Sequence, residues 1–187
     1  MISISDHPVS QMYKNYGADT WKDYDVHHFE AVTPKTLGNK HKLEFGRNGN
    51  RDFTETEMAV WYSHFELWCY SVINKESIVV VEHDGVLTKP LPSFDNLDKK
   101  FISYHEIDGE VRISPGSGYF ISPRMGEKLV AQAVTRIIKM NSDGHLVQEL
   151  QAKEDKYLDD FYYVEQIKID NLTTIDHVKP DEQIFVR

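Results

Sequence analysis

A single cysteine, Cys69, occurs in 187 residues, so no internal disulfide can form and a reducing compartment is expected. No run approaches the roughly 18 consecutive apolar residues that read as a membrane span. The amino end lacks a basic segment followed by an apolar stretch, so no signal peptide is expected. Internal repeats, low-complexity tracts and convincing linkers are missing too. Neither H-E-x-x-H nor paired cysteines of a zinc site are present, and no glycine spacing matches a phosphate loop. Positive charge is scarce: 21 Lys and Arg face 30 Asp and Glu, for a formal net charge of −9. That balance argues against a surface built mainly for phosphate backbones, but leaves room for a local basic groove and suits recruitment of metal ions. Hydrophobic residues make up 40% and charged residues 27%, an ordinary globular composition. One domain over residues 1–187, in the cytoplasm, is the expectation.

What the chain does carry is concentrated between residues 54 and 87. Thr54 followed three residues later by Glu57 is a capping box, which satisfies two orphaned helix donors reciprocally. Met58, Trp61, Phe65, Trp68 and Val72 then recur at three- and four-residue steps, predicting a helix with one apolar stripe that ends at Asn74. Ser63 and His64 fall off that stripe, on a face with Val60 and Leu67. Ile78 to Val81 is wholly apolar, as expected of a parallel strand buried on both faces. Glu82 and Asp84 follow at its carboxyl end, where ligands bind in open α/β sheets.

Around this segment the pattern predicts a first strand over Met1 to Ile4 and a short helix from Val9 to Tyr16, closed at Gly17. Val26 to Val32 reads as a second strand, and residues 33–53 as a polar loop. Short strands are expected at Phe101–Tyr104 and Val111–Ile113 around Asp108-Gly109, and at Tyr119–Ile121. Ser122 as N-cap and Pro123 as first helical residue open a helix through Met125, Leu129, Ala133 and Ile137. Asp143 opens another helical stretch to about Ala152, and Phe161–Ile169 reads as a late strand. The order of elements predicts an α/β sandwich with a mainly parallel sheet.

Hard cations such as Mg²⁺ and Mn²⁺ prefer carboxylate oxygen and often take only one or two protein carboxylates, with phosphate oxygens and water besides. Glu82 and Asp84 are therefore a candidate metal site that could neutralise a diphosphate leaving group, the plain alternative being a solvated turn. Ser63 and His64 are either a polar contact beneath a ligand cleft or a polar helix face with a histidine satisfied in the core. Asp143, within Asn141-Ser142-Asp143-Gly144-His145, is either an N-cap or a general base for an incoming hydroxyl. Glycines at 116 and 118 either make a tight turn or let a sugar or phosphate approach the backbone. Cys69 sits in the apolar helix and lacks the electropositive setting of a nucleophilic thiolate. His27 and His28 alternate on a predicted strand and face opposite ways, which disfavours a zinc site built from both.

Four segments in series carry a likeness to a known family: E-x-A-x-x-x-S-H-x-x-L-W (Glu57 to Trp68), I-V-V-V-E-H-D (Ile78 to Asp84), G-S-G-Y-F-I-S-P-R-M-G-E-K-L (Gly116 to Leu129) and S-D-G-H-L (Ser142 to Leu146). In this order they resemble glycosyltransferase family 25, which includes lipopolysaccharide-type and collagen-type galactosyltransferases. H-H-F-E-A-V (His27 to Val32) is similar to the family's second strand, and the likeness runs over roughly residues 8–150. The resemblance implies a GT-A-like, Rossmann-like single domain, a nucleotide-diphosphate sugar donor, and inverting transfer of a sugar to a hydroxyl acceptor. It implies that Glu82 and Asp84 hold Mn²⁺ or Mg²⁺ against the donor diphosphate and that Asp143 is the catalytic base. Glu57, Ser63, His64, His83, Gly118 and Tyr119 are expected at the donor and acceptor cleft. Two features depart from the family: His83 replaces the middle acid of its common E-D-D, and Ser5-Asp6-His7-Pro8 stands where an arginine-bearing loop follows the first strand. The short chain suits a compact bacterial or phage-encoded version, acting in the bacterial or phage-infected cytoplasm.

Two acceptors fit these expectations, a glycan or a hydroxymethylated base of phage DNA. For DNA, the basic groove would come from Lys35, Lys40, Lys42, Arg47 and Arg51. A non-catalytic nucleotide- or sugar-binding protein of the same fold is the third possibility.

Overall fold

The computed structural model describes residues 1–38, 40, 43–87, 90–91, 102–103, 106–107, 110–111, 118–140 and 164–166. In chain order these form β1 (Ile2–Ser3), α1 (Pro8–Ala18), a 3₁₀ turn (Asp19–Trp21), β2 (Phe29–Glu30), α2 (Pro34–Leu37), β3 (Arg47–Asn48), β4 (Arg51–Asp52) and α3 (Glu55–Asn74). Then follow β5 (Ile78–Val81), β6 (Gly85–Leu87), β7 (Ile102–Ser103), β8 (Glu106–Ile107), β9 (Glu110–Val111), β10 (Gly118–Ile121), α4 (Pro123–Thr135) and β11 (Val164–Gln166). The class is mixed α/β.

The helix ends are set locally. Thr54 Oγ1 accepts from Glu57 N at 3.2 Å, and the Glu57 carboxylate accepts from Thr54 N at 2.9 Å, completing the capping box of α3. After Asn74 the chain turns through Lys75 at φ 58°, whose N–H donates to Ser71 O. Ser122 Oγ accepts from Met125 N at 3.3 Å and Pro123 takes the first turn of α4. That helix stops at Thr135, short of the expected Ile137, because Ile138 is drawn into a parallel bridge with Phe45. A main-chain donor and acceptor satisfied by the 44–46 segment outweigh one more helical turn. Gly17 does not close α1, which runs on through Ala18 into the 3₁₀ turn.

The sheet is put together from distant pieces. β1 pairs in parallel with β2, Ile2 against Phe29 and Ser3 against Glu30. One further parallel bridge, Ile2 to Glu82, joins this pair to the end of β5. β5 runs antiparallel to β10, Val81 opposite Gly118 and Ile78 opposite Ile121, and β10 takes β7 antiparallel on its other side. The spatial order is β2-β1-β5-β10-β7. The expectation of a mainly parallel sheet is corrected here: among the described residues, parallel pairing within this sheet is confined to β1, β2 and the Glu82 bridge. A wholly apolar run reports burial on both faces, and a central strand of a mixed sheet has that burial whichever way its neighbours run. The second strand is also shorter than Val26 to Val32, and residues 33–53 hold α2 and the β3–β4 hairpin rather than loop alone.

Successive residues of β5 and β10 face opposite ways. Val80, Tyr119 and Ile121 join the core beneath α3 and α4, with Trp61, Phe65, Trp68, Met125 and Leu129. Val81 and Phe120 pack with Trp21 on the other face. α3 is buried well beyond its predicted stripe: Ala59, Tyr62, Ser63, His64 and Ser71 are buried along with the aromatic residues. α3 and α4 approach closely at Gly126, where an added Cβ would lie 2.9 Å from Val72 Cγ2 and 3.1 Å from Trp68 O. No helix among the described residues is long and apolar enough to cross a membrane.

Candidate functional site at the end of the central strand

β5 releases Glu82, His83 and Asp84 into a tight turn closed by a hydrogen bond from Gly85 N to Glu82 O at 3.0 Å. The 3₁₀ turn after α1 fastens it from outside, through Trp21 Nε1 donating to Gly85 O at 3.0 Å. All three residues are buried, with exposures of 8%, 0% and 2%. Charged carboxylates at such depth require compensating partners or ligands.

One such contact comes from α3. His64, itself 1% exposed, places Nε2 3.6 Å from Glu82 Oε1, while its Nδ1 lies 2.8 Å from Tyr119 Oη. Trp68, one turn further along α3, donates its indole N–H to the same Tyr119 oxygen at 2.9 Å. Four side chains from α3, β5 and β10 thus meet in one polar cluster inside the apolar layer. Sequence patterning assigned Trp68 to the core alone; its indole N–H needs a partner when buried, and that need is the signal that could have tied it to Tyr119.

Ser63 has a different task. Its Oγ accepts from Val32 N at 2.9 Å and donates to Ala59 O at 3.1 Å, fastening the chain after β2 to α3. Gly118 opens β10 opposite Val81, beside the same strand end. Glu57 is not brought to the cluster. It lies on the capping turn of α3, about 10 Å along the axis from His64, and forms a two-pronged pair with Arg51 at 2.6 and 2.7 Å. That guanidinium, with the Thr54 donors, holds the Glu57 carboxyl down to about 2. Asp143 lies outside the described residues, as do Gly116 and Ser117.

His83 turns away from the carboxylates toward α1. Its ring meets Tyr13 edge-on at 5.8 Å between centroids, and neither ring nitrogen has a hydrogen-bond partner among the described residues. Burial, reinforced by nearby His7, lowers its pKa to about 4, so the imidazole is neutral near pH 7. His7 and Tyr13 carried no pattern in the sequence that linked them to this position. Among the described residues no group of three or more His, Cys, Asp or Glu is arranged to hold a metal ion. Glu82 and Asp84 still offer the hard oxygen donors that Mg²⁺ and Mn²⁺ take, in the number usual for a cation completed by phosphate oxygens and water.

Two other surfaces bear on function. Four of the five expected DNA-facing basic residues are matched by carboxylates: Lys35 with Asp6 at 3.8 Å, Lys40 with Glu66, Arg47 with Asp52 at 3.9 Å, and Arg51 with Glu57. The fifth, Lys42, lies outside the described residues. A cavity of about 490 Å³ runs along β5 and the amino ends of β1 and β2, lined by Met1, Trp21, Tyr24, Phe29, Tyr70 and Val79 among others. None of the expected site residues that the structure describes lines it. The acidic turn, and not this cavity, carries Glu82 and Asp84, whose oxygens are the donors that a hard cation takes. No protein-family model matches the chain, and no curated protein matches it either.

Proposed function

We propose that the protein is a metal-dependent glycosyltransferase, taking a sugar from a nucleotide-diphosphate donor and passing it to a hydroxyl acceptor with inversion. The observation that carries this reading is the pair of buried carboxylates, Glu82 and Asp84, delivered by a central strand beside the parallel strand β1 and faced by His64. The ordered likeness of the segments around them to glycosyltransferase family 25, and a sheet that mixes parallel and antiparallel strands between helices, support it further.

In this reading Glu82 and Asp84 hold Mn²⁺ or Mg²⁺, which supplies charge neutralisation for the departing diphosphate. Asp143 takes the proton of the acceptor hydroxyl as its oxygen bonds to the anomeric carbon and the carbon–diphosphate bond breaks on the opposite face. Gly118 and Tyr119 are buried beside the strand end, and Tyr119 acts from within the core. A glycan is the favoured acceptor. The carboxylates facing Lys35, Lys40, Arg47 and Arg51 leave little net positive charge for a DNA backbone.

A donor-hydrolysis screen across nucleotide sugars with Mn²⁺ tests the reading. Asp84→Ala is expected to abolish metal-dependent hydrolysis and transfer; near wild-type turnover in that variant would remove the metal role. A second reading, a binding protein of the same class without catalysis, is favoured by the depth at which Glu82 and Asp84 lie. Calorimetry separates the two: nucleotide-diphosphate binding without any hydrolysis or transfer would support the second.

A further inference from the structure

A row of buried groups leads from the helix core to the acidic strand end, and its direction is set at both ends. The indole of Trp68 can only donate, and it donates to Tyr119 Oη at 2.9 Å. On the metal reading Glu82 is a carboxylate, which at the other end of the row can only accept. Between them Tyr119 Oη lies 2.8 Å from His64 Nδ1, and His64 Nε2 lies 3.6 Å from Glu82 Oε1.

For a neutral imidazole two tautomers compete. With the proton on Nδ1, the ring would turn its Nε2 lone pair on the carboxylate, a repulsive contact. With the proton on Nε2, Tyr119 O–H donates to Nδ1 and the Nε2–H points at Glu82 Oε1. Each donor in this row then faces an acceptor. The 3.6 Å separation is longer than a hydrogen bond, so the last contact acts through its field, which the buried setting strengthens. His64 and Tyr119, at 1% and 0% exposure, lie too deep to touch a donor sugar directly.

We propose that His64 is a positioning residue, held as its Nε2–H tautomer by the Trp68–Tyr119 relay, and that it orients the Glu82 carboxylate toward a divalent cation. The inference rests on the metal reading of Glu82 and Asp84. It changes the expected part of His64 from a ligand contact to a group that acts through Glu82.

Two measurements on the full chain test it. Long-range ¹H–¹⁵N correlation spectra of the metal-free protein are expected to show His64 protonated at Nε2 and not at Nδ1. Calorimetric titration with Mn²⁺ in the presence of UDP, GDP, ADP, CDP or dTDP is expected to show about tenfold weaker metal binding for Tyr119→Phe, and tenfold or more for His64→Phe. His64→Gln, which restores a donor, should recover part of the loss, and circular dichroism and urea midpoints identify any variant that fails to fold. An Nδ1–H tautomer overturns the proposal. So does unchanged Mn²⁺ binding in folded Tyr119→Phe while the wild type binds, which leaves the metal reading standing. If the wild type shows no metal-dependent binding, both fall together.

Discussion

Glu57 closes the capping turn of α3 and pairs with Arg51 at the same time, and its pKa records both contacts. The ordinary value of 4.5 is lowered to about 2 in the fold, chiefly by Arg51. A depressed carboxylate stabilises the fold above its unfolded pKa, and that contribution is lost as pH falls from 4.5 toward 2. Because the pair sits in a partly exposed position, solvent screening reduces its worth to about 1 kcal/mol. Glu57→Gln is expected to lose about that much in urea denaturation at pH 7, with the difference from wild type shrinking at pH 3. His83 makes the opposite prediction. Among the described residues the buried His83 ring has no hydrogen-bond partner, which is costly, so His83→Leu should hold or raise stability by about 1 kcal/mol in thermal denaturation. A clear loss would show that the ring has a partner. The capping box could be read from the chain because it involves four consecutive residues and their own backbone. The burial of His64 could not, since it depends on what covers the face of α3 away from the stripe.

At the scale of elements, the extents of α3 and β5 were legible: both lie in one continuous pattern with local stop signals at Asn74 and Glu82. Strand direction was not, because it is decided by β10, nearly forty positions later, and by a bridge from Ile2. The end of α4 was missed for a related reason, as Phe45 competes for Ile138 from a distant part of the chain. The contact between α3 and α4 gives a direct test. A methyl group at position 126 meets Val72, which can rotate, and the Trp68 carbonyl, which belongs to the helix backbone and cannot. Gly126→Ala is therefore expected to cost about 1–3 kcal/mol despite its better helix propensity, read as a lowered urea midpoint. A stabilised variant would show that α4 can shift outward freely.

For the molecule as a whole, the order β2-β1-β5-β10-β7 brings the pieces of the candidate site together from the chain's beginning, middle and later part. Motifs in series supplied most of these residues. Their arrangement in depth needed the structure, which sets Glu82, His64 and Tyr119 in a row and leaves Glu57 apart. The topology also governs how the protein is made. β1 is made before its partner, since its contact at Glu82 is synthesised some eighty positions later, and β10 must follow before β5 gains the antiparallel neighbour it has here. At roughly 5–20 residues per second, the wait between Val81 and Ile121 is about 2–8 seconds. During it the apolar β5 is available to chaperones or to other chains. A fragment of residues 1–117 is accordingly expected to show no cooperative thermal transition and to remain chaperone-bound, because the strand that closes its sheet has not yet been made.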